Sequence, residues 1–353
     1  MPRLTGFVRV AGGACAAWLA AAIVVMAATG HQDAARPQAS APPAEPFREW
    51  LAGVREEALA RGISARTIDA ALTDVAPLPV VVERDRTQAE LTLNLDLYLR
   101  RRLPPSVVRS ARTMARTHRE VLRRVEAAYG VPPSVVTAIW GLESNFGRFT
   151  GVRPTIPALA TLAHDGRRVT LFREELLAAL TIVDRGDVPL SRLKGSWAGA
   201  MGQPQFMPST YLSDAVDFDG DGRRDIWAST ADVFGSIANY LHRRGWVAGQ
   251  RWGREVAVSE RAAARVAGAV PLRMSGACRA VRDMTEARPL TEWARLGVTL
   301  PKGHALPASA ITASLARVDR RTFLVYGNYE ALLAYNCAHT YALSVAMLAD
   351  RIR

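Results

Sequence analysis

Apolar residues recur at helical spacing along most of this chain. Phe47, Trp50, Leu51 and Val54 open the pattern, and Ile63, Ile68 and Leu72 continue it. The Pro- and Val-rich stretch at 77–82 reads as a short extended piece. Helical runs are predicted at 91–101 and 106–129, their charged residues making solvated faces, and again at 131–147, 156–163, 171–185 and 230–245. Residues 251–310 are mixed, with strand-like runs at 255–258 and 298–300 between Pro and Gly turns. The end, 331–353, reads as an amphipathic helix introduced by Tyr335 and Asn336. The pattern predicts a mainly α fold with a small mixed α/β insertion, and no internal repeat.

The most informative helix lies between Val131 and Gly151. Pro132 and Pro133 suit its first turn, where a missing N–H costs nothing, Ser134 is placed to cap it, and Gly147 to stop it. Val135, Val136, Ile139, Trp140 and Leu142 give it an apolar body. Glu143 follows Ile139 and Trp140 by four and three residues, so it shares their face. An acid on an apolar face near a helix C-terminus stays protonated close to neutral pH, because desolvation and the helix dipole both penalise its charge. Such an acid suits protonation of a glycosidic oxygen. The plainer alternative is a boundary residue with its carboxylate in water.

Composition narrows the class. The chain has 353 residues, 49% of them hydrophobic, enough for a globular body with a substantial core. A formal charge of +12 points to an anionic partner. No zinc-finger spacing, recognition-motif aromatics or Walker loop accompanies it, so nucleic acid is not the expected one. Residues 1–30 read as an export signal or membrane anchor: Arg3 and Arg9 precede an apolar run from Ala14 to Ala28, with small residues for cleavage after it. Residues 31–46 are a Pro/Ala-rich linker. Export implies a periplasmic, oxidising compartment. Beyond Cys15 it leaves Cys278 and Cys337 either as one disulfide, the economical reading, or as two buried thiols.

Two loops carry further chemistry. Residues 194–209 are Gly-rich, too irregular for a helix and too apolar for an ordinary surface loop. They set Ser196, Gln203 and Gln205 among Trp197, Met201, Phe206 and Met207, a mixture suited to a carbohydrate cleft or to a packed structural loop. In the 217–232 loop Asp217, Asp219 and Asp221 alternate, Gly222 takes the sixth position of an EF-hand-like turn, and the Arg223 carbonyl the seventh. Three carboxylates this close call for a hard cation, and one structural Ca2+ is the expected guest. Position twelve is Ala228 in place of the usual Glu. Asp232 is the candidate for the missing ligand, and Asp225 for one acting through water.

Taken in order, WGLESNFG around Glu143, PALATLAHDGRR at 157–168, GSWAGAMGQPQFMPSTY at 195–211, AVDFDGDGRRDIW at 215–227, SIANYLHRRGW at 236–246 and the late Tyr-Asn pair resemble the lytic murein transglycosylases of the membrane-bound B type. The likeness covers nearly all of 47–353. It implies a lysozyme-like helical catalytic core, a peptidoglycan glycan strand as substrate, no cofactor for the chemistry and Glu143 as acid and then base. It also implies that Ser196 and Gln205 line the cleft, with Tyr240, Tyr335 and Asn336 as further subsite contacts. Many such proteins append a peptidoglycan-binding module, which this chain is expected to do without. The activity expected is non-hydrolytic cleavage to 1,6-anhydro ends. A lysozyme-type hydrolase and a non-catalytic murein-binding envelope protein are the alternatives.

Overall fold

The computed structural model describes residues 46–87, 93–165, 167–276 and 278–352. The expected export segment, the linker up to residue 45 and positions 91 and 92 of the expected 91–101 helix lie outside them. Helices α1 (Phe47–Ala60), α2 (Ala65–Leu72), α3 (Pro79–Thr87) and α4 (Leu95–Arg102) lead into α5 (Pro105–Thr117), α6 (Arg119–Tyr129) and α7 (Pro133–Ser144). Strand β1 (Arg153–Pro154), α8 (Thr155–Asp165), α9 (Val169–Asp184), β2 (Lys194–Gly195), α10 (Pro208–Asp214) and α11 (Thr230–Arg243) follow. A mixed region comes next, with β3 (Gly253–Val256), α12 (Glu260–Ala269), α13 (Arg279–Arg282), β4 (Arg288–Pro289), α14 (Leu290–Arg295), β5 (Thr312–Val318) and β6 (Arg321–Val325). Helices α15 (Gly327–Tyr335) and α16 (His339–Ile352) end the chain.

Helix α7 is the axis of the larger core. From Ser134 to Ser144 every residue except Gly141 and Glu143 is buried. A helix that is apolar all round needs neighbours all round, and α5, α6, α11 and α16 supply them. Two of these lie about a hundred and two hundred residues further along the sequence, so the end of α7 is fixed by distant parts of the chain. A second, smaller core forms around Trp293, Leu290, Leu315 and Leu324. It packs under an antiparallel sheet of order β3-β6-β5-β4.

Several boundaries differ from the sequence expectation. The 77–82 stretch enters helix α3: Pro79 takes its first position, where proline is tolerated, and burial of Val81 outweighs the reluctance of β-branched residues. The 106–129 run breaks at His118, whose ring packs edge-on against Trp140 and Phe234 at 5.4 Å from each. The terminal run is two helices bent by 117°. Tyr335 ends α15 and Asn336 caps it, three residues before α16. Within the mixed region 298–300 contributes only a bridge between Ala257 and Thr299, and the strand pairing extends past 310. There β5 and β6 pair across a two-residue turn, with Asp319 in the left-handed region at φ 52°.

Candidate active site

The WGLESNFG segment shapes one end of α7 residue by residue. Trp140 donates its indole N–H to Gln203 Oε1 at 2.7 Å, and Gln203 passes its own N–H to the Trp227 carbonyl at 2.8 Å. This buried amide therefore ties α7 to the Gly-rich loop and to the end of the acidic loop. Gly141 leaves room for Phe146: a Cβ at Gly141 would stand 2.6 Å from that ring. Asn145 and Phe146 both adopt left-handed φ, 49° and 60°, and turn the chain back over the helix end. Ser144 donates to the Trp140 carbonyl and accepts from the Gly147 N–H. At the other end Pro132 is the N-cap residue, and the buried Ser134 hydroxyl has no partner among the described residues, so it does not cap.

Glu143 is thus held in the last turn of α7, half-buried, facing a cleft of 320 Å3 lined also by Arg102, Val107, Asn145 and Phe149. Its Oε1 accepts a 2.5 Å hydrogen bond from the Tyr341 hydroxyl. Burial pushes the carboxyl up to about 7, against the Tyr341 hydrogen bond and the Arg102 guanidinium, which both favour the ionised form. The acid is therefore substantially protonated near neutral pH, as the apolar helix face predicts. Arg102 itself donates to the Leu142 carbonyl at 2.8 Å.

Tyr341 begins an aromatic wall. Its ring stacks on Tyr335 at 6.3 Å, and Tyr335 meets Tyr240 edge-on at 4.8 Å. Phe206 of the Gly-rich loop packs against both Tyr240 and Tyr335. The phenols are spoken for: Tyr335 donates to the Pro204 carbonyl at 2.7 Å and Tyr240 to the Ala334 carbonyl at 2.5 Å. Burial and the neighbouring Glu143 push the Tyr335 and Tyr341 phenols well above the usual range, so both remain donors. Arg244 lies over the Tyr240 ring at 3.3 Å from its centre, with Asp214 taking its charge.

Of the expected site residues, Glu143, Tyr240 and Tyr335 are linked in this way through Tyr341. Ser196 turns its oxygen to its own loop, accepting from the N–H groups of Ala198 and Ala200. Gln205, at φ 53°, donates to the carbonyls of Gly202 and Thr150. Next to Thr150, Gly151 lets the Gly195 backbone pass close by: at φ 94°, a Cβ there would fall 2.0 Å from it. Asn336, which follows Tyr335 in the chain, is exposed. Sequence reasoning missed Tyr341, which has no motif of its own. Its one local signal is a phenol in an otherwise apolar helix just after the Tyr-Asn pair.

The acidic loop brings Asp217, Asp219 and Asp221 together, each offering a carboxylate oxygen within 4.8 Å of the others. Asp217 accepts from the N–H groups of Gly220, Asp221 and Gly222, and Asp221 from Arg223. These donors shape the loop without neutralising it, and the donor set fits a hard divalent cation. Asp232 stands apart from that cluster. It is fully buried and accepts from the N–H groups of Phe218, Asp219 and Asp225, so it closes the loop onto α11. Asp225 accepts from Trp227 and Ala228 in a turn of its own. Cys278 and Cys337 are bonded, with Cα atoms 6.1 Å apart, joining the segment before α13 to the turn between α15 and α16.

A family model described as the transglycosylase SLT domain matches residues 46–350. The chain is 41% identical over 156 residues to the membrane-bound lytic murein transglycosylase B of Escherichia coli K12. That alignment covers 44% of this chain and 43% of the relative, less than half of its length. The fold is similar to SltB3 from Pseudomonas aeruginosa in complex with NAG-anhNAM-pentapeptide, with a TM-score of 0.77 and 44% identity over 86% of this chain and 78% of that one. It is also similar to the Escherichia coli lytic transglycosylase Slt35 in complex with calcium, with a TM-score of 0.70 and 27% identity over 87% and 92% of the two chains.

Proposed function

We propose that this chain, which belongs to the transglycosylase SLT domain family, cleaves the β-1,4 bond between N-acetylmuramic acid and N-acetylglucosamine of peptidoglycan without water, leaving 1,6-anhydro ends. One observation carries the reading. Glu143 is a carboxyl raised to about 7 in a cleft lined by no second acid among the described residues. Most glycosidases need two carboxylates flanking the bond; a single one suffices when the substrate supplies the second partner. Tyr341 occupies Oε1, so the acidic proton sits on Oε2, free to pass to the glycosidic oxygen. The sugar's acetamido group then stabilises the anomeric carbon. Glu143, now a carboxylate steadied by Tyr341 and Arg102, takes the proton of the C6 hydroxyl as that oxygen closes on C1. The attack is intramolecular and gains the effective molarity of an oriented neighbour. Ser196, Gln205, Tyr240, Tyr335 and Asn336 are the proposed subsite contacts along the strand. Mass spectrometry of products from purified murein tests the reading: 1,6-anhydro ends are expected, and reducing ends in their place assign the fold to a hydrolase.

The rest of the biology follows from the same reading. Asp217, Asp219, Asp221 and the Arg223 carbonyl would hold one structural Ca2+, and Asp232 would fix the loop that presents them. Residues 1–30 would export the protein to the periplasm or anchor it to the inner membrane, with 31–46 as tether to a catalytic unit over 47–353.

A further inference from the structure

Beyond the Glu143 cleft, the face of α5 carries positive charge that the protein leaves uncompensated. A second hollow of 360 Å3 adjoins the cleft. Ser106 and Arg109 of α5 line it on one side, Phe146 and Arg148 on the other. The two are neighbours along one wall: Ser106 borders this hollow and Val107 the cleft, while the 144–149 turn after α7 borders both. Arg109 and Arg148 are exposed, their guanidinium groups have no ion-pair or hydrogen-bond partner among the described residues, and no acid among those residues lines the hollow. By contrast, Arg244 is paired with Asp214 and Arg273 with Glu330. Phe149, on the rim of the cleft, is 69% exposed, an unusual position for a large aromatic side chain.

We propose that this hollow seats the acidic peptide stem carried by the muramic acid at the cleavage point. The inference rests on the activity proposed above and deepens it. A stem attached to the lactyl group next to the scissile bond extends about 3.4 Å per residue, far enough to leave the Glu143 cleft within a few residues. It carries side-chain and terminal carboxylates between short apolar groups. Arg109 and Arg148 receive the carboxylates, as guanidinium forks do, and Phe149 covers the apolar part. The hollow thus selects strands with stems over bare glycan, and the catalytic acid is indifferent to the difference.

Binding measured without turnover tests this. Soluble strands of one sugar length, either bearing stems or trimmed by an amidase, are titrated into full-length Glu143→Gln protein and into the same protein with Arg109→Gln and Arg148→Gln added. Trimmed strands keep a free lactyl carboxylate, so they report on that source of charge. The added substitutions should weaken binding of stem-bearing strands about fivefold, the scale for two exposed ion pairs, and change trimmed strands by less than about twofold. The gap should shrink at high salt. Equal losses on both substrates would assign the arginines to the lactyl group or the sugar, and no loss on either would leave them without a ligand; both overturn the proposal. Product analysis of the wild-type protein is separate: reducing ends there would remove the transglycosylase reading while leaving the binding contrast in place.

Discussion

Glu143 stands alone on a buried helix, whereas Asp217, Asp219 and Asp221 crowd within 4.8 Å of one another on a loop whose middle is exposed. At Glu143 the protein withholds solvent and supplies one hydroxyl and one guanidinium, and burial still wins, raising the carboxyl to about 7. At the loop it supplies N–H after N–H to the aspartates and leaves their charges facing outward. Neighbours, not residue type, decide whether a carboxyl is held towards its neutral form or left charged. The two regions are also joined, because Gln203 bonds both Trp140 of α7 and the Trp227 carbonyl at the loop's end.

Removing the lone acid should have the largest effect. Glu143→Gln keeps the shape and loses the proton, and general acid catalysis is worth roughly two to four decades of rate. With no second acid in the cleft lining among the described residues, the loss should sit at the upper end. More than about a tenth of wild-type murein lysis in the purified variant excludes Glu143 as the acid. The same variant reports on stability. With the folded-state value raised from 4.5 to about 7, the native wild type binds the proton more tightly than the unfolded chain. Its stability therefore falls as pH rises from about 4.5 to 7, by at most about 3 kcal/mol. Glu143→Gln should escape that loss and melt higher than wild type at pH 8 but not at pH 4; parallel curves would mean the site is wet.

The dryness at Glu143 depends on where α16 begins, and the Cys278–Cys337 bond holds that turn. In the chain-entropy model a loop of this size is worth on the order of 4 kcal/mol. Reduction should lower the melting temperature accordingly, and mild reduction should weaken glycan binding first, as Tyr335 and Asn336 drift from the cleft. Thiol titration of unfolded, unreduced protein is the check, and two free thiols would end this account.

At the loop the expected effect is smaller and purely structural. Ca2+ at a hundredfold excess over its dissociation constant should stabilise the fold by about 2.7 kcal/mol. Chelation should reverse the gain while leaving the pH profile of catalysis unchanged. A melting curve indifferent to both calcium and chelator would take the ion out of the comparison.

Much of this contrast is legible in the sequence, because both regions are written in local patterns. Helical spacing puts Glu143 beside Ile139 and Trp140, and the alternating aspartates stand next to one another in the chain. What is not legible depends on distant partners. Asp232 reads as a ligand by position, and its bonds to the N–H groups of Phe218 and Asp225, which fix the loop, form only once the loop has folded. Gln203 resembles a sugar contact until Trp140 and Trp227 close on it. The β5–β6 hairpin escapes notice because its turn is Asp319-Arg320, without the glycine that usually marks a tight hairpin. Tyr341 escapes because its partner lies 198 residues away.

Tyr341 also offers the finest test of how the lone acid is tuned. Its hydroxyl favours the charged form of Glu143, so it holds the carboxyl lower than burial alone would. Tyr341→Phe keeps the ring and its stack on Tyr335 but removes that donor. The Glu143 carboxyl should then rise above about 7, because nothing compensates the lost hydrogen bond to the ionised oxygen. A hydrogen bond to a charged group is worth about 1.5–3 kcal/mol, so the shift should be roughly one pH unit or more. Activity requiring the protonated acid is lost as pH rises through this value, so the alkaline limb of kcat should move upward. The maximal rate should fall about tenfold, because the proton is no longer confined to Oε2 and the carboxylate formed in the first step is less stable. A lower rate with an unmoved limb would reduce Tyr341 to a packing residue, and a limb that moves downward would show that the phenol stabilises the neutral acid.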